Sequence, residues 1–131
     1  MYAYEIKPKI QYKNSDLNWM NPFSRSTKEM KGRLPLPEID DLDLNVSEYD
    51  EILLLFPIWW DRAPVIINSF LEKYDFTNKT IILFATSGGG GLEKCANYLK
   101  QSVSNNTIIK DGLMLNGNLS KEKLISLINN I

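Results

Sequence analysis

The sequence predicts a doubly wound α/β domain built on a parallel sheet, and three observations carry that expectation. Two short apolar runs, Ile52 to Phe56 (ILLLF) and Thr80 to Ala85 (TIILFA), have the length and continuity of strands buried on both faces. Each run ends in an abrupt turn, the first in Pro57-Ile58-Trp59-Trp60 and the second in Thr86-Ser87-Gly88-Gly89-Gly90-Gly91. Between and after the runs, apolar residues recur at helical spacing, so strands and helices alternate as a parallel sheet requires.

Taken in order, the chain reads as one domain over residues 1–131: a strand in 1–7, a long loop with one short helix in 8–49, and a βαβαβα core in 50–131. The opening strand is AYEI, Ala3 to Ile6, halted by Pro8, whose ring biases Lys7 away from helix. From Lys9 to Tyr49 no period holds, and Pro22, Pro35 and Pro37 punctuate the segment. Its helix is signalled by Ser26-Thr27-Lys28-Glu29, a capping-box pattern in which Ser26 and Glu29 satisfy each other's backbone donors, with Gly32 closing it. A loop of this length is usually functional or disordered.

After the tryptophans, Asp61 is placed to cap a helix through Ala63-Pro64, with Ile66, Ile67, Phe70, Leu71 and Tyr74 forming its apolar face. The four glycines after Ser87 leave backbone donors unshielded at the start of a helix whose stripe is Leu92, Cys95, Ala96 and Leu99. Thr107 to Leu115 is the last strand, with a bulge or break expected at Asp111-Gly112. Ser120 caps a final helix with Leu124, Ile125, Leu127, Ile128 and Ile131 on its apolar face.

Composition removes several function classes. With 44% hydrophobic residues, 24% charged residues and a formal net charge of -1, the chain has no basic stripe for nucleic acid. No window reaches the roughly 18 consecutive apolar residues of a membrane span. One cysteine and no secretory pattern place the expectation in a reducing cytoplasm. The absence of histidine excludes Ser-His-Asp and Cys-His catalysis and His-ligated metal from this chain. Chemistry here falls to carboxylates, hydroxyls, the backbone or a cofactor.

Several spaced segments closely resemble the flavodoxin-like family, in the branch that carries a YPIWWG-like turn after one strand and TSGGSG after the next. They are Tyr49-Asp50, Phe56 to Trp60, Ala63-Pro64, Ile67-Asn68, Phe70-Leu71-Glu72, Tyr74-Asp75-Phe76 and Thr86 to Gly89. Asp16 to Trp19, Ser24-Arg25-Ser26 and Glu29 extend the likeness to nearly the whole chain. The resemblance implies a flavodoxin-like three-layer doubly wound sheet and flavin mononucleotide (FMN) as cofactor. It further implies that Trp59 or Trp60 stacks on the isoalloxazine. The backbone of Pro57, Ile58, Trp59 and Trp60 would meet the ring's redox-active edge, and Thr86, Ser87, Gly88 and Gly89 its pyrimidine side. The flavin carries electron-transfer or oxidoreductase chemistry, and the protein orients it.

Two departures qualify that pattern. The family opens with a strand, a T/S-x-T-G-x-T phosphate loop and a helix, whereas this chain starts at the second strand, so the expected sheet is truncated at the N-terminus. Losing three charge-assisted phosphate contacts forfeits about 4 to 8 kcal/mol, enough to weaken flavin binding by about a thousand-fold. In the family's strand order the missing strand lies beside Ile52 to Phe56, which becomes an apolar edge. Either Ala3 to Lys7 closes onto that edge or two chains pair there as a homodimer. The second departure is Asp61, where glycine is usual.

Plainer readings stand beside these. The alternative function is a non-enzymatic truncated scaffold or interaction module that binds no flavin. An isolated tryptophan pair is more often packing, and a glycine run a flexible turn. Cys95 reads as buried and inert, Asp40-Asp41-Asp43 as a solvated loop, and Trp19 and Arg25 as anchors of the long loop.

Overall fold

The two apolar runs become neighbouring strands of one parallel sheet in the computed structural model, which describes residues 3–86 and 92–115 together with 122, 125 and 126. Strand β1 spans Glu51–Pro57, β2 spans Thr80–Thr86 and β3 spans Ile108–Met114, in spatial order β1-β2-β3. β1 and β2 pair without a slip from Glu51↔Thr80 to Pro57↔Thr86. The two turns that follow them therefore start side by side at one end of the sheet.

Helix α1 covers Arg25–Met30, α2 covers Val65–Lys73 and α3 covers Cys95–Leu99. α2 and α3 pack on one sheet face: Ile67, Phe70 and Leu71 from α2 and Cys95 and Leu99 from α3 meet Leu54, Phe56, Ile81, Leu83 and Ala85. Ile82, Phe84 and Leu115 form a second buried cluster with Leu53 against it. Each fully buried apolar side chain contributes about 1.5–3 kcal/mol, so the centre of stability is β2, where every residue from Ile81 to Ala85 is buried. This is an open parallel α/β sheet, as the sequence predicts.

β1 departs from the doubly buried strand expected of ILLLF. Leu54 and Phe56 are buried but Leu55 is 50% exposed. The reason is position: β2 has strands on both sides, while β1 has only β2 among the described residues. β1 thus keeps one row of backbone donors and acceptors without a neighbouring strand among the described residues.

The strand expected in residues 1–7 does not form among its described residues, and Ala3 to Lys7 does not close onto β1. Its hydrogen bonds run elsewhere: Asp40 N donates to Lys7 O (2.8 Å) and Lys9 N to Glu38 O (2.9 Å), around a single Pro8↔Ile39 bridge. Proline has no N–H to extend that ladder. Ile39 and Val46 enter the core below α2, and the Tyr74 hydroxyl accepts from Leu42 N (3.0 Å), so the long loop is fastened at several points.

Helix α1 begins two residues earlier than its capping-box signature suggests. Ser24, not Ser26, is the N-cap, its hydroxyl accepting from Thr27 N at 3.4 Å. Glu29 is drawn instead to Tyr12 and Arg25. Gly32 closes the helix as expected, at φ +72°, with Arg33 N bonded to Lys28 O (2.8 Å). α2 is likewise capped differently: Pro64 occupies its N-cap position and the Asp61 side chain makes no cap bond.

β3 carries the bulge expected at Asp111-Gly112. Its register to β2 shifts between Leu83↔Asp111 and Ala85↔Met114. The final helix expected from Ser120 to Ile131 lies outside the described residues except at Glu122, Ile125 and Ser126.

Candidate functional site

A parallel α/β sheet presents ligands beyond the carboxyl ends of its strands, and that is where β1 releases the tryptophans. Ile58 N donates to Thr86 O (2.8 Å), which extends the β1–β2 ladder by one residue. The chain then folds back: Trp59 N donates to Arg62 O (2.8 Å) and Arg62 N to Trp59 O (3.1 Å). Trp59 and Arg62 form an antiparallel bridge with Trp60 and Asp61 between them, at φ 49° and 66°. Two left-handed central residues are the signature of a type I′ hairpin turn, which ordinarily takes Asn-Gly.

That geometry accounts for the glycine usual at position 61. An L-residue in the left-handed region costs roughly 1–2 kcal/mol, less for aspartate, while glycine adopts it freely. Asp61 is partly held by Lys94, 3.8 Å away across an exposed pair, which contributes little. Replacing Asp61 with glycine is therefore expected to raise stability by about 0.5–1 kcal/mol, read as a higher urea midpoint at unchanged slope. A lower midpoint would show that the carboxylate is needed for the turn.

Behind the hairpin, the Arg62 guanidinium lies over the Tyr98 ring (4.2 Å to its centre) and donates to Asn68 Oδ1 (3.3 Å). Asn68, buried on α2, donates in turn to Tyr98 O (3.2 Å) and Ser102 Oγ (2.9 Å). Burial lowers the Arg62 pKa from its ordinary value and raises that of the Cys95 thiol, whose sulfur faces Asp61 O at 3.9 Å. The hairpin is thus fixed to α2 and α3 by its backbone and by one arginine, which leaves its indoles to face the other way.

They face an open cleft of about 240 Å³ lined by Leu17, Trp19, Ser26, Ile58, Trp59 and Trp60. Three of these come from the hairpin and three from the long loop and α1. Pockets that bury a drug-sized ligand run to about 300–1,000 Å³, so the described cleft suits part of such a ligand. Its chemistry is that of a planar apolar face, with the Ser26 residue as its one polar side chain. Trp60 is 39% exposed and Trp19 67% exposed, so both have surface to give a ligand.

The wall at Trp59 has a partner of its own. Tyr12 meets the Trp59 ring edge to face, with centres 6.4 Å apart and planes at 89°. The Arg25 guanidinium lies over the Tyr12 ring at 3.9 Å, donates through Nε to Glu29 Oε2 (3.0 Å), and reaches Ile10 O (2.6 Å). The Tyr12 hydroxyl donates to Glu29 Oε1. Burial, then that bond to Glu29, pushes the Tyr12 phenol well above its ordinary pKa, so it stays a donor at any ordinary pH.

Of the expected site residues, Pro57, Ile58, Trp59, Trp60 and Thr86 converge at this end of the sheet; Pro57 and Thr86 are exposed and paired across the strands. Ser87, Gly88 and Gly89 lie outside the described residues. Arg25 anchors the loop as expected, whereas Trp19 lines the cleft instead. Leu17, Ser26 and Tyr12 are additions from the structure. For Leu17 and Ser26 the segments Asp16 to Trp19 and Ser24 to Ser26 held a signal; Tyr12 had none, because its partners Arg25, Glu29 and Trp59 are 13, 17 and 47 residues away. Among the described residues no cluster of acidic, cysteine or histidine side chains could hold a metal ion, and no helix is long and apolar enough to cross a membrane.

Comparison with known proteins agrees with this architecture. A crystal structure of a candidate flavoprotein from Bacteroides uniformis ATCC 8492 superposes with a TM-score of 0.84 at 38% identity, over 96% of this chain and 80% of that one. One from Bacteroides eggerthii DSM 20697 gives 0.81 at 37% identity, over 96% and 79%. A flavoprotein from Lactobacillus acidophilus NCFM, solved in complex with FMN, shares the fold at a TM-score of 0.55 and 18% identity, over 68% and 59%. Comparison with curated protein sequences gives no match. A profile of the flavodoxin family matches residues 2–131, and with the parallel sheet and the tryptophan hairpin at its carboxyl end this establishes that the chain belongs to the flavodoxin family.

Proposed function

We propose that the cleft between the tryptophan hairpin and the α1 loop holds the isoalloxazine of a flavin, FMN in the first instance, and that the chain is a flavin-binding electron-transfer or oxidoreductase domain. The observation that carries this reading is the strained hairpin. Trp60 occupies a backbone conformation in which a bulky residue is an outlier, and such strain persists where the surroundings and the function require it. Membership of the flavodoxin family and the flavoprotein descriptions of the Bacteroides relatives support it.

The lining residues fit the ring. An aromatic face adds about 0.5–1.5 kcal/mol beyond burial, and Trp19, Trp59 and Trp60 offer three. The flavin, once bound, supplies the redox chemistry. The chain's own part is to stack the ring, exclude water from one face, and set the charge around it. Asp61, exposed at the tip of the hairpin, adds a negative charge that disfavours an anionic reduced ring.

The phosphate is a different matter. No lysine or arginine lines the described cleft, so ring burial carries the affinity. Riboflavin is then expected to bind within about threefold of FMN, against the roughly thousand-fold that several phosphate contacts would represent. Titrating each flavin with the protein and following flavin fluorescence measures both constants. A preference of about a hundred-fold for FMN would reveal a phosphate site elsewhere, while unquenched fluorescence with both flavins would leave the scaffold reading, in which no flavin binds.

A further inference from the structure

A buried charged cluster stands one layer behind the cleft, and nothing in flavin stacking by itself calls for it. Glu29 is 4% exposed at its side chain and Arg25 18% exposed. They sit one helical turn apart on α1, so both point the same way. Tyr12 is gripped on three sides: Arg25 over one ring face, Glu29 at the hydroxyl and Trp59 across the ring edge. We propose that Glu29 is a positioning residue for the cleft, holding Tyr12 and Arg25 together so that Tyr12 sets the orientation of the Trp59 wall relative to α1.

The physical case rests on what a simple anchor would look like. Loop fastening elsewhere in this chain uses apolar plugs such as Ile39 and Val46, which need no desolvated charge. A buried ion pair is no more stabilising than an apolar replacement, but it accepts only one arrangement of its partners, so its use here favours geometry over stability. The cluster also spans both halves of the cleft. Ser26 follows Arg25 directly in α1 and lines the cleft, while Tyr12 touches Trp59, which lines it from the opposite side. Moving Glu29 therefore moves both walls.

This role rests on the flavin reading only in its two riboflavin readouts. The test compares the unsubstituted chain with Glu29→Gln and Tyr12→Phe, the first removing the charge and the second the hydroxyl while keeping the ring. The probe is riboflavin. Both variants are expected to bind it about 2- to 10-fold more weakly, the worth of one misplaced aromatic contact. At saturation they are also expected to leave more residual flavin fluorescence than the wild type, which reports ring-to-indole geometry and not the folded fraction. Without ligand, their near-ultraviolet circular dichroism should lose tryptophan intensity while the far-ultraviolet spectrum is unchanged. If Glu29→Gln does not fold, Tyr12→Phe decides alone. Wild-type near-ultraviolet spectra in a folded variant would overturn the proposal. Wild-type protein that fails to quench riboflavin would overturn the flavin reading alone, and the ligand-free spectra would still judge the clamp.

Discussion

Arg25→Ala is expected to destabilise the chain by about 3 kcal/mol, the lower end of the range for removing one partner of a buried ion pair. Glu29 would remain in a site where only 4% of its side chain meets solvent, with the Tyr12 hydroxyl left to donate to it. The loss also includes the stacking on Tyr12 and the bond to Ile10 O, which ties residue 10 to α1. Arg25 is 18% exposed, so water can reach part of the vacated space, which places the effect at the low end. A loss below about 1 kcal/mol, the level of a surface pair, would show that the cluster is solvated in solution. The double variant Arg25→Leu with Glu29→Met separates charge from packing. It is expected to recover most of the stability, since an apolar pair of similar size needs no compensation, while the Trp59 wall loses its fixed orientation.

Gly112→Ala is expected to cost about 1–3 kcal/mol through overpacking. A Cβ at this position would lie 2.5 Å from Leu83 O, 3.1 Å from Ile82 Cγ2 and 3.2 Å from Phe84 Cε1. A side chain can rotate away from such a clash, but a carbonyl of the central strand cannot, so β3 must move off β2 at its bulge. Gly32→Ala makes the control. Nothing lies within 4 Å of a Cβ there, and its cost, about 1 kcal/mol, comes only from the left-handed φ of +72°. Chemical denaturation of the two variants orders them; Gly112→Ala equal to or milder than Gly32→Ala would mean that β3 shifts freely at the bulge. Because β2 ends at Thr86, beside the hairpin, a displaced β3 is also expected to weaken the cleft.

Much of the core could be read from pattern alone. The run Ile81 to Ala85 has no polar residue to place on a solvent face, which only a central strand tolerates, and it is buried throughout. The stripe Leu92, Cys95, Ala96 and Leu99 found the same core by its helical period. The bulge was legible because glycine inside a strand marks a close backbone approach, here to Leu83 O. Local patterns failed where a neighbour outside the window decided the outcome. ILLLF reads like TIILFA, yet Leu55 is half exposed because, among the described residues, β1 has one neighbouring strand and β2 has two. AYEI has strand composition, but the backbone bonds just after it, at Lys7 and Lys9, go to the Ile39 segment, a competition invisible in seven residues. At the caps, Ser24 and Ser26 were both eligible, and Glu29 was taken by Tyr12 and Arg25 instead of by the helix N-terminus.

For function, the sequence by itself determined the alternation of strands and helices between Glu51 and Met114, the shared end at which β1 and β2 stop, and the chemistry excluded by a chain without histidine, because these depend on composition and short periods. Only the tertiary structure decided the shape of the site. It folded Trp59 to Arg62 into a hairpin with two left-handed residues, brought Leu17, Trp19 and Ser26 across from a loop with no period, and placed the Tyr12, Arg25 and Glu29 cluster behind Trp59. The hairpin and the Arg25–Glu29 pair are local, but the contacts that join them into a site cross long stretches of chain, and their strength lies in distance and orientation, which no local spacing encodes.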